Sequence, residues 1–295
     1  MLVFLRILTF ALTACVSTAA VSASDIEVID DNGRAISLKV PARRVITLTP
    51  HVTEMVFAAG GGGKIVATVS SSDYPPEARG LPRIGDGLQP NPERVAAYKP
   101  DLVIGWLPEQ AESLEALDIP VFINAPRSLG DIADSIETFG VMLGTTDTAS
   151  KRADTLRQKL EVLMAGGVSR APIRVLIQAG AEPEYALGGD HILSDVIALC
   201  GGVNVFADSP SLAPRISVEG VLAAQPDLVL VGRAGAGSAP VVDPTALSYW
   251  QGVGLRAASL GQVYMVDADT IYRPGPRLID AAAQICNVIH QARKS

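Results

Sequence analysis

Three histidines, His51, His191 and His290, are the side chains best suited to bind a metal or move a proton. No two of them stand at the spacing of a zinc site, so no metal of the protein's own is expected. Nucleophile motifs are missing as well, with no Gly-x-Ser-x-Gly elbow in the chain. Gly60-Gly-Gly-Gly-Lys64 lacks the Ser or Thr that completes a phosphate loop, and it follows a helical stretch instead of opening one. Gly232-Arg-Ala-Gly235-Ala-Gly237 is glycine-rich but begins no helical pattern. Covalent catalysis needs a nucleophile with a base in reach, and none is visible, so neither enzyme activity nor a cofactor is expected. What remains suits binding: His51, Tyr74, Trp106, Tyr185, His191, Asp269, Tyr272 and Arg273. An aromatic mouth with few charges fits a large, flat, partly apolar ligand. Each residue also has a plainer role open to it. Tyr and Trp often pack half-buried, a first-turn histidine is commonly solvated, and Arg273 has Asp269 as an ion-pair partner one turn away.

The elements that would hold these residues alternate strand and helix. The pattern predicts strands at 44–48, 64–70, 101–106 and 120–124, with helices at 51–59, 92–98, 109–117 and 129–143, Ser128 capping the last with Asp131 three residues on. A charged, amphipathic stretch, Thr148–Ala165, carries Ala153, Leu156, Leu160 and Leu163 on one face. As a helix it would span about 27 Å. Alternation then restarts with strands at 173–179, 227–232 and 262–267, and helices at 192–199, 218–224 and 277–293. Such alternation predicts parallel α/β layers. Glu93–Ile104 also matches Glu219–Leu230 at seven of twelve positions without a gap, which points to equivalent halves. The expected architecture is α/β: two Rossmann-like lobes joined by one long rigid α-helix, with a ligand cleft between them and little closure on binding. The expected divisions are a signal peptide at 1–23, an N-terminal lobe at 24–146, the linking helix at 147–169 and a C-terminal lobe at 170–295. In open α/β sheets, ligands bind beyond the carboxyl ends of the strands. That rule selects the residues named above.

With 48% hydrophobic and 19% charged residues the chain can build a core. Its net charge of −7, without a basic stripe, excludes nucleic acid as a partner. Leu2–Ala23 is apolar or small with Arg6 as its only charge, which reads as a secretory signal cleaved after Val21-Ser22-Ala23. The alternative is a lipoprotein-like box, Leu12-Thr13-Ala14-Cys15, in which Cys15 would carry lipid; the weakly basic start favours simple cleavage. Cys200 and Cys286 then remain as an even pair in an oxidising compartment, and a disulfide is predicted.

Several segments resemble the periplasmic vitamin B12-binding proteins that feed corrinoid ABC importers. They are Arg44-Val-Ile-Thr-Leu-Thr-Pro50 with Thr53-Glu54, Ser72-Asp-Tyr-Pro-Pro76, Asn91-Pro-Glu-Arg-Val95, Lys99-Pro-Asp-Leu-Val-Ile104, Leu199-Cys-Gly-Gly-Val-Asn-Val-Phe206, Ser217-Val-Glu219 and Pro276-Arg277. The Cys-Gly-Gly-x-Asn-x-Phe segment recurs in relatives that bind haem and siderophores. The resemblance implies a corrinoid ligand, cobalamin first, with haem or a siderophore as the alternative. The family pattern does not demand His51 or His191; the place of His51 in the first βα turn makes it a candidate axial ligand to corrinoid cobalt, and His51 or a cleft tyrosine the candidate for haem iron. The resemblance maps cleft aromatics onto Tyr74, Trp106 and Tyr185, and a polar pair onto Asp269 and Arg273. It makes Glu93 and Glu219 docking contacts for the permease dimer of an ABC transporter, and agrees with a Cys200–Cys286 bond. A monomer in the periplasm is expected. Gly87 and Ala213 stand where the best-known member has tryptophans, so the pocket should be wider or differently filled.

Overall fold

The computed structural model describes residues 25–165, 171–180, 185–237 and 239–294. The leader expected at 1–23, including Cys15, lies outside them. Among the described residues, a hairpin of β1 (Ile26–Ile29) and β2 (Ala35–Leu38) comes first. The first lobe follows: β3 (Val45–Thr47), α1 (Pro50–Ala58), β4 (Ile65–Thr68), α2 (Pro92–Ala97), β5 (Leu102–Gly105), α3 (Pro108–Glu115), β6 (Val121–Ile123) and α4 (Leu129–Leu143). Its four strands are parallel in the order β4-β3-β5-β6. Near-continuous apolar strands such as Leu102–Gly105, buried at every position, are what a parallel sheet covered on both faces requires.

The linking helix α5 runs Thr146–Ala165, about 30 Å long. It begins two residues before the predicted start, because Gly144 ends α4 in the left-handed conformation at φ 65° and the chain turns straight into α5. The two helices cross closely: a Cβ on Gly140 would lie 2.3 Å from that of Ala149.

The second lobe holds β7 (Ile173–Gln178), α6 (Leu193–Leu199), β8 (Gly202–Asn204), α7 (Val218–Ala224), β9 (Leu228–Arg233), β10 (Val241–Val242), α8 (Pro244–Gly252), α9 (Arg256–Ser259), β11 (Val263–Asp267), α10 (Ala268–Ile271) and α11 (Pro276–Ala292). Its sheet order is β10-β11-β9-β7-β8, parallel except for the edge strand β10. The hairpin, β8, β10, α8 and α9 went unread in the sequence, being short or lacking a periodic apolar face. Cys200 and Cys286 form a disulfide, tying the end of α6 to α11.

The internal echo has a structural cause. In the first lobe Asp101 accepts the backbone N–H groups of Arg43 and Arg44, while the Arg44 guanidinium reaches the carbonyls of Tyr98 and Lys99. In the second, Asp227 accepts from the Arg174 N–H, and the Arg174 guanidinium reaches the Ala224 carbonyl. Lys99 and Gln225 both adopt left-handed backbone, at φ 48° and 45°, just before the shared Pro-Asp. One device therefore returns the chain from helix to strand in each lobe. One apolar core also passes through both lobes: Val52, Met55 and Phe139 of the first, Ala149, Ala153 and Leu156 of α5, and Val175, Leu278 and Ile285 of the second. Leu160 and Leu163 pack against it half-buried.

Candidate ligand-binding site

The strands of both lobes end at the junction between them. After β3, Thr49 caps α1 with an extended backbone, Pro50 takes the first helical position and His51 falls in the first turn. His51 is 4% exposed, not the solvated residue that its position suggested. Trp106, following β5, lies edge-on to it at 6.2 Å, and His51 Nε2 donates to the Asn124 carbonyl at 3.4 Å. Burial lowers its pKa to about 4, so the ring is neutral at pH 7. Behind it, the hydroxyls of Thr47, Thr53, Thr68 and Ser72 bond to one another at 2.7–2.9 Å and lock β3, α1 and β4 to the loop at 70–75. No sequence signal marks that cluster, because its members come from four separate segments.

Gly87 forms a bare stretch of wall. A Cβ there would lie 1.8 Å from the Leu48 carbonyl oxygen, so this backbone path admits no side chain. Ala213 is exposed.

From the second lobe, Tyr272 and Arg273 follow α10. The Tyr272 hydroxyl donates to the Gln178 carbonyl at 3.3 Å. Its ring covers Gly232, where a Cβ would sit 1.8 Å from the hydroxyl oxygen. Burial pushes the Tyr272 pKa up to about 12. His191 meets this ring edge-on at 6.0 Å and accepts the Leu193 N–H on Nδ1 at 3.1 Å. The proton of its neutral ring therefore sits on Nε2. Burial lowers the His191 pKa to about 4 as well.

The lobes meet through a cluster of charges. Glu54 of α1, with a side chain 2% exposed, accepts from Arg277 Nε at 2.9 Å and from Nη2 at 2.6 Å, a two-point fork. Burial pushes the Glu54 carboxyl above the ordinary carboxylate range, while Arg277 and Arg273 pull it back. Arg273 bonds Asp73 of the first lobe at 2.7 Å and Asp269 of its own at 2.6 Å. Its guanidinium is thus engaged across the cleft as well as with Asp269. Desolvation works against the Asp73 charge, but Arg273 outweighs it and holds that carboxyl below its usual range. The Arg277 guanidinium lies 4.3 Å from the centre of the Tyr74 ring, a cation–π contact.

Two recesses flank this cluster. One, of about 360 Å3, is lined by His51, Ser71, Gly87, Trp106, Tyr272 and Arg273, among others. The other, of about 340 Å3, is lined by Phe57, Tyr74, Arg152, Arg277 and Asp280, among others. The predicted site residues are therefore divided. His51, Trp106, Tyr272 and Arg273 come together, with His191 behind Tyr272 and Asp269 held by Arg273. Tyr74 faces the second recess, and Tyr185, 44% exposed, pairs with Arg215 on neither wall. Glu93 and Glu219 are exposed in the first turns of α2 and α7, whose caps, Asn91 and Ser217, accept the backbone N–H groups of Arg94 and Gly220. The sequence reading missed Glu54 and Gln110. Glu54 could have been flagged as an acid on an otherwise buried helix face. Among the described residues, no group of three or more His, Cys, Asp or Glu could hold a metal ion.

Residues 45–269 match the family described as periplasmic binding protein. The chain belongs to this family. It is 36% identical to a vitamin B12-binding protein of Vibrio cholerae over 258 residues, 86% of this chain and 91% of that one. The vitamin B12-binding protein of Pectobacterium carotovorum is 34% identical over 251 residues, covering 83% and 87%. Among solved structures, the periplasmic vitamin B12-binding protein BtuF of Vibrio cholerae superposes with a TM-score of 0.78 at 36% identity, over 86% of this chain and 99% of that one. The periplasmic haem-binding protein RhuT of Roseiflexus gives 0.71 at 28%, covering 85% and 99%. The two-lobed fold with its cleft at the strand ends is thus the periplasmic binding protein architecture.

Proposed function

We propose that this chain captures a corrinoid, cobalamin first, in the periplasm and delivers it to an ABC importer. The observation that carries the reading is the 36% identity with the vitamin B12-binding protein of Vibrio cholerae over 86% of the chain. The site is compatible with it. Trp106 and Tyr272 offer faces to a flat macrocycle, and Arg273 with its carboxylate partners offers polar groups to the substituents at its edge. No chemistry is asked of the protein, which acts by binding alone. His51 and His191 are recognition groups in this reading. His191 has Nδ1 taken by the Leu193 N–H and a proton on Nε2, whereas His51, donating from Nε2 to a carbonyl, keeps the lone pair of Nδ1 and is the histidine with a nitrogen left for cobalt or iron.

The wider proposal follows the same lines. Export uses the segment at 1–23, the lobes divide near 146 and 170, and the protein works as a monomer. Glu93 and Glu219 flank the cleft mouth, since helices α2 and α7 start on the side where the parallel strands end. One carboxylate on each side of the opening suits bidentate pairing with arginines on a two-fold permease. Titration calorimetry with cyanocobalamin, dicyanocobinamide and haemin tests the ligand. Tight binding of either corrinoid is expected. Heat with haemin alone would replace this reading with haem binding, the property RhuT is named for.

A further inference from the structure

Gln110, in the first turn of α3, is 1% exposed, and both ends of its amide are engaged at the wall of the first recess. Its Oε1 accepts the backbone N–H of Trp106 at 2.6 Å and that of Leu107 at 2.9 Å. Its Nε2 donates to the carbonyl of Gly87. One side chain therefore joins the end of β5 to a loop 23 residues earlier in the chain. Only an amide can accept at one end and donate at the other with this reach. The fit is tight on every side. A Cβ on Gly105 would lie 2.5 Å from Gln110 Oε1, and a Cβ on Gly87 would meet the Leu48 carbonyl at 1.8 Å. Trp106 as a whole residue is 37% exposed and lines the recess. Its aromatic face is open to a ligand while its backbone is fixed from behind.

We propose that Gln110 is a positioning residue for ligand capture. It holds the Trp106 ring and the side-chain-free wall at Gly87 at a set separation, so that a flat ligand enters between an aromatic face and bare backbone. The proposal rests on the corrinoid reading for its ligand, and on the three hydrogen bonds for its mechanism. Releasing the wall lowers the fraction of protein in the binding-competent arrangement, and apparent affinity falls by the same factor.

The test uses the whole protein, cyanocobalamin and iodide quenching. Of the two tryptophans, Trp250 is 0% exposed and Trp106 is open to solvent, so iodide reports on Trp106. Gln110→Ala removes all three bonds; about tenfold weaker cyanocobalamin binding and steeper iodide quenching are expected. Gln110→Glu keeps the acceptor for Trp106 and Leu107 but sets a carboxylate against the Gly87 carbonyl. It should weaken binding while leaving quenching as in the wild type, a split that general destabilisation does not produce. If both variants bind within twofold of the wild type, the proposal is overturned. If Gln110→Ala does not fold, Gln110→Glu decides alone, and unchanged affinity overturns the proposal. If the wild type itself does not bind cyanocobalamin, the corrinoid reading fails separately. Quenching then judges the positioning, and an unchanged Gln110→Ala profile rejects it.

Discussion

Replacing Glu54 by Ala removes the carboxylate on which the two lobes close. Its side chain is 2% exposed, and those of Arg273 and Arg277 are 14% and 19% exposed. Breaking a buried ion pair from one side costs about 3–5 kcal/mol, because the remaining charge stays desolvated and unpaired. Two observations move the expectation to the lower end. Arg277 keeps the Tyr74 ring at 4.3 Å and the Asp269 carbonyl at 3.2 Å. Arg273 keeps Asp73 and Asp269. A loss of about 3 kcal/mol is therefore expected for Glu54→Ala. For Glu54→Gln, which retains an acceptor and the shape, about half of that is expected. Urea unfolding at pH 7 measures both, and a cycle with Arg277→Met isolates the pair, with a coupling of at least about 1 kcal/mol. One cooperative transition should persist in each variant, since the apolar core is continuous through both lobes. A Glu54→Ala protein within about 0.5 kcal/mol of the wild type would show that the cluster does not fasten the lobes.

Stability should fall on acidification. The folded pKa values of His51 and His191 are depressed to about 4, so below pH 6.5 the unfolded chain takes up protons that the folded one refuses. Each ring then costs about 1.4 kcal/mol per pH unit between 6.5 and 4, and nothing above 6.5. A His51→Gln protein should lose one such contribution from its stability-versus-pH slope, and an unaltered slope would contradict the buried neutral ring. Replacing Cys200 and Cys286 together by Ala opens a loop of 86 residues, and a loss of about 4 kcal/mol is expected in urea. Thiol counting on the unfolded, unreduced wild type should find neither of these cysteines free. The Glu93→Ala, Glu219→Ala double variant should bind ligand as the wild type does and fail in uptake. Normal uptake would reduce both residues to helix-start acids, and weakened ligand binding would place them on the wrong surface.

Local pattern alone carries the longer strands and helices, the two-lobed order and the bond between Cys200 and Cys286. All three are written in local periodicity, in caps such as Ser128 with Asp131, and in an even cysteine count. The repeat was legible for the same reason, since each lobe turns its chain with a local Pro-Asp pair and one arginine. Which residues meet at the mouth was only half legible. The strand-end rule named His51, Trp106, Tyr272 and Arg273 among others, and these four line one recess, because parallel strands deliver their carboxyl ends to one side. It could not tell that Tyr74 turns from Trp106 toward Arg277, since a loop's direction depends on what packs beneath it, here the buried hydroxyls of Thr47, Thr53, Thr68 and Ser72. Nor could it give the burial of His51, the fork between Glu54 and Arg277, or the span of Gln110 from Trp106 to Gly87. These contacts join residues 23 to 223 positions apart. Burial and electrostatic pairing at such separations are properties of the packed lobes, and only the tertiary structure decides them.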